Sequence, residues 1–255
     1  MTQATITYEY ERIADIKRLK FIAEALKKEI PEKGRVLDVG CGNGVISRHL
    51  GQFGYEVLGI DISQKTIDVA RSKNTLPNVR FEAISAEALT AAGEKYDAVI
   101  CSEVLEHLDH PEKLLRVIYD TIKDDGLLVV TVPNGVGPRE LCVTRPMLKA
   151  RNNPGMWKFI NKIKSALGFK GTTVQSQADN LDHVQFFTRK DLLNLAQTNN
   201  YDIIKFSKTN FVEDVFPFSL LTKRIKFLQK LDCEVAEILP IGFTGGFNTL
   251  WKKRV

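Results

Sequence analysis

The sequence predicts an α/β fold, a mostly parallel sheet wound with helices on both faces, and three observations predict it. Short apolar runs of strand length alternate with segments of helical periodicity between Glu9 and Pro133. A glycine-rich turn, Gly40-Cys-Gly-Asn-Gly44, directly follows the first of those runs. Twenty-one residues after Gly40, Asp61 closes the second run at the place where a carboxylate in a βαβ unit can accept hydrogen bonds from a ribose diol.

The elements follow in order. A helix over roughly Glu9 to Lys28 carries Ile13, Ile16, Leu19, Ile22, Ala23 and Leu26 at helical spacing. Val36, Leu37 and Val39 form the first buried strand, and a helix starts after the glycines. Val57 to Ile60 is the second strand, Val79 to Ile84 the third and Tyr96 to Cys101 the fourth. A helix over Pro111 to Lys123 leads into strand five, Gly126 to Pro133. The alternation then lapses. A basic stretch with Met147, Leu148, Met156, Trp157, Phe159, Ile160, Ile163, Leu167 and Phe169 is too long for a structureless loop, so residues 134–185 read as a lid or substrate-binding insertion. The scaffold resumes where Thr188 can cap a helix through Asn199, followed by a strand over Tyr201 to Phe206. Residues 212–240 form a second insertion, in which Phe216, Phe218, Leu220, Leu221, Ile225, Phe227 and Leu228 are interleaved with Lys223, Arg224, Lys226 and Lys230. The last strand falls within Gly242 to Lys252, and residues 1–255 read as a single domain.

Composition bounds the function. With 44% hydrophobic and 26% charged residues, 255 residues suit one soluble domain able to bury a core. The charged, amphipathic N-terminus is unlike a secretion signal, so the expected location is the cytoplasm. Cys41, Cys101, Cys142 and Cys233 lie far apart and form no C-x-x-C pair, which argues for reduced thiols over a disulfide scaffold or structural zinc. Between Arg139 and Lys170 eight basic residues face one acid, Glu140, a local charge of +7 within a chain of net +5. That asymmetry, with the second basic insertion, raises the expectation of peripheral contact with an anionic membrane. Plain packing explains such segments equally well, and nucleic acid is a weaker expectation because no RNA-binding module is visible.

The turn itself points to an adenosine-containing cofactor. Its glycines are spaced G-x-G-x-G, and Asp38 sits where a pyrophosphate would be repelled and a cationic ligand welcomed. S-adenosylmethionine, with an ammonium and a sulfonium but no phosphate, fits that acid better than a nicotinamide dinucleotide. The run Val-Leu-Asp-Val-Gly-Cys-Gly-Asn-Gly resembles the class I S-adenosylmethionine-dependent methyltransferases, and the later run Glu103-x-x-Glu106-His107 resembles, among their branches, the ubiquinone-pathway O-methyltransferases. The resemblance is specific over about Gly34 to Asn134 and looser over His183 to Phe206. It implies a Rossmann-like sheet of seven mostly parallel strands in the order 3-2-1-4-5-7-6, an entry helix capping the cofactor, and S-adenosylhomocysteine as the second product. It further implies cofactor contacts from Asp38, Gly40, Cys41, Gly42, Gly44, Asp61, Ile62, Ala86, Glu87, Ser102 and Glu103.

The chemistry should sit after strand four. Glu103, Glu106 and His107 stand at i, i+3 and i+4, so one helical turn would bring them to a common face. His107, with Glu106 beside it, is the catalytic candidate, since an imidazole of unperturbed pKa near ~6.5 can take a hydroxyl proton at neutral pH. The E-x-x-E-H run with a later His also resembles the metal-binding set of small-RNA 2′-O-methyltransferases, which implies Mg²⁺ or Zn²⁺ on Glu103, Glu106, His107 and His183. A non-catalytic pocket wall is the third reading of those residues. His49 and His110 read as solvated or helix-surface residues. The expected activity is O-methylation of a small-molecule, glycan or lipid-linked acceptor. A metal-assisted RNA 2′-O-methyltransferase and a non-catalytic S-adenosylmethionine-binding module stand as alternatives.

Overall fold

A computed structural model describes residues 8–90, 93–151, 183–215, 218–222 and 224–254, and between 152 and 182 only Asn153, Gly155, Lys158 and Lys162. Seven strands form one sheet in the order β3-β2-β1-β4-β5-β7-β6. They are β1 (Arg35–Val39), β2 (Glu56–Ile60), β3 (Val79–Glu82), β4 (Tyr96–Ser102), β5 (Ile122–Pro133), β6 (Tyr201–Lys208) and β7 (Gly246–Lys253). The first five run parallel, and β7 enters antiparallel to both β5 and β6.

Strand alternation divides the core cleanly. Val36, Ala98, Ile100, Leu127 and Val129 face one side, where they meet Leu19, Ile22 and Leu26 of α1 (Ile13–Glu29) and Leu50 of α2 (Val45–Gln52). Leu37, Val39, Val99, Cys101, Leu128 and Val130 face the other, against α5 (Pro111–Thr121) and α7 (Arg189–Thr198). Both faces being covered explains why these strands read as near-continuous apolar runs. Helices α3 (Gln64–Lys73) and α4 (Ala86–Thr90) complete the first half.

Several boundaries differ from the sequence-based expectation. Helix α1 begins at Ile13, because Glu9 is drawn away to hold Arg48 through two hydrogen bonds of 2.7 and 2.6 Å. Helix α5 ends at Thr121, since Ile122 already pairs with Tyr96 as the first residue of β5. The predicted cap at Thr188 is present as a full capping box with Asp191. His49 is buried, not on a solvated surface, because α2 is enclosed from Val45 to Gly51. All four cysteines are free thiols.

After β5 the chain makes a π-helical turn, Glu140–Thr144, and enters α6 (Arg145–Arg151). The predicted lid residues Met156, Trp157, Phe159, Ile160, Ile163, Leu167 and Phe169 lie outside the described residues. In the second insertion α8 (Ser219–Thr222) leads to α9 (Lys226–Ile238), which packs on α1. Its inward face is partly polar: Asp232 accepts the backbone N–H groups of Phe211 and Val212, and Gln229 accepts that of Ile13. Phe227, Leu231 and Ile238 are left exposed on α9, with Phe218 and Leu221 exposed just before it. Among the described residues no helix is long and apolar enough to cross a membrane.

Candidate functional site

The carboxyl ends of β1, β2 and β4 meet at the glycine turn. Gly40 and Gly44 have φ of 67° and 76°, in the left-handed region. A Cβ on Gly40 would lie 2.5 Å from Val104 Cγ2, and one on Gly44 would lie 2.4 Å from the Phe81 ring, so neither position tolerates a side chain. The turn is stitched to β2. Cys41 N–H donates to the Ile60 carbonyl at 2.9 Å, while Gly42 N–H (3.1 Å) and Ser63 N–H (2.9 Å) donate to the two oxygens of Asp61. Each Asp61 oxygen keeps a second lone pair for a ligand hydroxyl. Ile62, next in the chain, is 84% exposed, an apolar surface ready to be covered by a flat ring.

Asp38 is buried beneath this turn and accepts a hydrogen bond from Ser47 Oγ at 2.5 Å. Burial raises its pKa to about 7, with the nearby Asp61 charge adding to the shift against the Ser47 hydrogen bond. A cationic ligand above it would favour the ionised form. Burial also pushes the Cys41 thiol far up, so its sulfur is neutral and its contribution to the turn is the backbone N–H. Beyond β3, Ala86 is buried and Glu87 exposed in the first turn of α4.

At the end of β4, Ser102 Oγ lies 2.8 Å from Thr131 Oγ1, and Thr131 Oγ1 donates to Glu103 Oε1 at 3.0 Å. The same Glu103 oxygen is 3.3 Å from Nη1 of the buried Arg18, and Arg18 Nη2 donates to Asp15. Glu103 has a left-handed backbone, φ 57°, a conformation a non-glycine residue holds only where its surroundings impose it. These contacts correct the expectation that Glu103, Glu106 and His107 share a helical face. The helical turn is a single 3₁₀ turn, Leu105–His107, that begins after Glu103, and the Glu103 carboxylate is turned to Arg18.

The other three residues of the predicted metal set do gather. Glu106, His107 and His183 each offer a ligand atom within 4.8 Å of the others. Backbone pairing explains why residues so distant in sequence meet: the Glu106 carbonyl accepts the N–H groups of both Val184 (2.9 Å) and Gln185 (3.0 Å). The His107 and His183 rings lie 5.2 Å apart, centroid to centroid, and His107 Nε2 is 3.7 Å from Glu106 Oε1. Glu106 is buried, and its Oε2 has no hydrogen-bond partner. Burial first, and then the Glu103 charge, hold its carboxyl well above the usual carboxylate range. A dication is the partner that reverses that penalty, and one carboxylate with two imidazoles is a donor set suited to Zn²⁺, and less so to Mg²⁺, which takes oxygen ligands. The residues present therefore fit a divalent metal.

Sequence reasoning missed four residues of this region. Arg18 reads as an ordinary surface cation of an amphipathic helix, and Ser47 and Thr131 carry no motif. Glu140 had a signal, as the one acid in the basic stretch, and it is buried with Oε1 at 3.4 Å from His183 Nδ1. Although burial opposes it, the His183 pairing keeps the Glu140 carboxyl below its ordinary pKa. A separate cavity of about 440 Å³, beside Arg35, Glu56, Asn78 and Tyr96, opens at the amino ends of the strands and contains none of the predicted site residues.

Comparison with known proteins agrees with this fold. A family model described as a methyltransferase domain matches residues 8–205. The ubiquinone biosynthesis O-methyltransferase of Sinorhizobium fredii is 38% identical over 111 residues, 42% of this chain and 45% of that one. The enzyme of the same name from Coxiella burnetii is 35% identical over 120 residues, 46% of this chain and 50% of that one. The chain thus spans about half the length of the curated relatives it matches. Among solved structures, a putative S-adenosylmethionine-dependent methyltransferase from Listeria monocytogenes superposes with a TM-score of 0.57 at 16% identity, covering 94% of this chain and 100% of that one. The magnesium protoporphyrin IX methyltransferase of Synechocystis, with bound S-adenosylhomocysteine, gives 0.54 at 17% identity, covering 95% and 84%. At these identities the likeness is one of fold.

Proposed function

This chain belongs to the methyltransferase-domain family, and on that premise we propose that it transfers a methyl group from S-adenosylmethionine to a hydroxyl oxygen, with a divalent cation held by Glu106, His107 and His183. The observation that carries the oxygen acceptor and the cation is the gathering of those three ligand atoms within 4.8 Å around a buried carboxylate oxygen that has no partner. The relatives' names, ubiquinone biosynthesis O-methyltransferases, support an oxygen acceptor, on a small or lipid-linked molecule in our reading.

The cofactor supplies an electrophilic methyl on a sulfonium, and a divalent cation lowers the pKa of a bound hydroxyl. The chain's residues do the rest. Asp61 takes the ribose hydroxyls, Ile62 and Ala86 flank the adenine, and Glu87 reaches its edge. Asp38 favours the cationic methionine end from below. Arg18 has a buried Nε with no partner and offers it to the methionine carboxylate, while Ser102, Thr131 and Glu103 fix the loop against which that end lies. In transfer the acceptor oxygen forms a bond to the methyl carbon as the carbon–sulfur bond breaks and its electron pair stays on sulfur. The hydroxyl proton leaves to solvent, because the lone pairs of the His107 and His183 imidazoles are taken up by the cation. Most of the acceleration comes from holding acceptor and methyl in line. The exposed Phe218, Leu221, Phe227 and Leu231, with Arg224 and Lys230 nearby, support an acceptor met at an anionic membrane surface.

The test is transfer of a radiolabelled methyl from S-adenosylmethionine to a prenylated catechol, with and without chelator, beside a short RNA. Chelator-sensitive labelling of the catechol is the expected result. Labelled RNA would move the acceptor to a ribose 2′-hydroxyl. Labelling of the catechol untouched by chelation would remove the cation and leave His107 as the base.

A further inference from the structure

Resting on the cation reading of the same site, we propose that Glu140 is its positioning residue: the carboxylate holds His183 Nδ1–H so that Nε2 is left to bind the metal, and thereby ties the base of the first insertion to the cation. Three observations carry this. Glu140 Oε1 lies 3.4 Å from His183 Nδ1, and both side chains are largely enclosed, with 1% and 14% of their surface exposed. Neither Glu140 oxygen completes a well-formed hydrogen bond, and of the neighbours that act on this buried carboxylate His183 comes first, ahead of the Thr144 hydroxyl and the Arg139 charge. Glu140 also opens a π-helical turn, Glu140–Thr144, an irregularity that recurs where a helix must aim a side chain into a site.

The chemistry follows from the two nitrogens of a neutral imidazole, of which one carries the proton and the other a lone pair. A carboxylate against Nδ1 selects the Nδ1–H form and directs the Nε2 lone pair outward, the arrangement that orients a metal-binding histidine and raises its basicity. Charge balance points the same way. Glu106 and Glu140 are two buried carboxylates beside two imidazoles, and a dication neutralises the pair. Glu103, the carboxylate expected in the metal set from sequence, is engaged by Arg18 and Thr131. Glu140 stands near the start of the first insertion and His183 near its end, and Arg145 of the same insertion donates to the Gly135 carbonyl just after β5.

The experiment titrates metal-free full-length protein with Zn²⁺ and with Mg²⁺ by calorimetry, for wild type, Glu140→Gln and Glu140→Asp. S-adenosylhomocysteine binding by each variant controls for folding. Glu140→Gln should weaken cation binding by about 10–100-fold, and Glu140→Asp should restore part of it. Wild-type binding that persists unchanged in a folded Glu140→Gln protein overturns this inference and leaves the cation reading intact. A wild type that binds neither ion overturns both. Should Glu140→Gln fail to fold, nitrogen-15 histidine spectra of the wild type decide: an Nδ1–H tautomer for His183 supports the inference, and an Nε2–H tautomer overturns it.

Discussion

The cofactor half of the site is built from backbone, and the acceptor half from side chains. Between Asp38 and Ser63 one βαβ unit supplies the glycine turn, the N–H groups that fix Asp61 and the acid beneath them, all close in sequence and held by hydrogen bonds of 2.5–3.1 Å. Around Glu106 the chain instead brings together three separate segments, and the groups that meet there are titratable side chains with unsatisfied oxygens. The first region is complete before its ligand arrives. The second has a deficit of positive charge, which is the ground for proposing a metal there and a cationic organic cofactor at the first.

Substitutions that separate the halves should rank in the following order. Glu106→Gln removes a ligand from the acceptor half and should lower Zn²⁺ affinity by at least ~100-fold, more than the loss of an outer partner, with S-adenosylhomocysteine affinity within twofold of wild type. Calorimetry on one sample reads both, and a parallel fall in both affinities would mean that the halves are not separable. Gly44→Ala attacks the cofactor half, because its Cβ meets the Phe81 ring at 2.4 Å in a left-handed backbone. Urea denaturation should show a loss of about 1–3 kcal/mol together with loss of cofactor binding.

Asp38→Asn sharpens the electrostatic side of the comparison. The folded pKa of about 7 lies above the unfolded carboxylate value, so the ionised form is disfavoured by folding. The stability this group contributes is full below the unfolded pKa and falls as pH rises toward about 7. A cationic cofactor binds the ionised form, so wild-type affinity should fall by about tenfold per unit as pH drops below 7. Asp38→Asn should bind weakly at every pH and be more stable than wild type at pH 8 without cofactor, as thermal melts would show. The smallest effect belongs to Ile62→Ala, with stability within about 0.5 kcal/mol of wild type and cofactor affinity a few-fold weaker by calorimetry.

The same comparison explains what the sequence disclosed. The glycine turn, Asp38 and Asp61 were legible because backbone geometry forces residue type, and a left-handed turn pressed against Phe81 and Val104 admits only glycine. The Thr188 cap was legible from a hydroxyl ahead of a helical apolar pattern, whereas the apolar runs gave the strands' positions and the family resemblance their order. Glu103 was misplaced because its i, i+3, i+4 spacing presumes a helix, and a charge partner 85 residues upstream, Arg18, decided its direction instead. His49 was misjudged because burial all round α2 depends on what packs there. Glu140 was invisible as a site residue because only the fold sets it beside His183, although its solitary acidity within a basic stretch was a usable hint.

Anomalous diffraction from crystals grown with S-adenosylhomocysteine and Mn²⁺ or Zn²⁺ would place the proposed cation relative to the cofactor turn. A cation in the acceptor half gives one metal peak bounded by Glu106, His107 and His183, with Glu140 behind His183 and the cofactor's ribose on Asp61. A cofactor-filled site with no peak there, or a metal held by Glu103 in place of that set, would contradict the proposal.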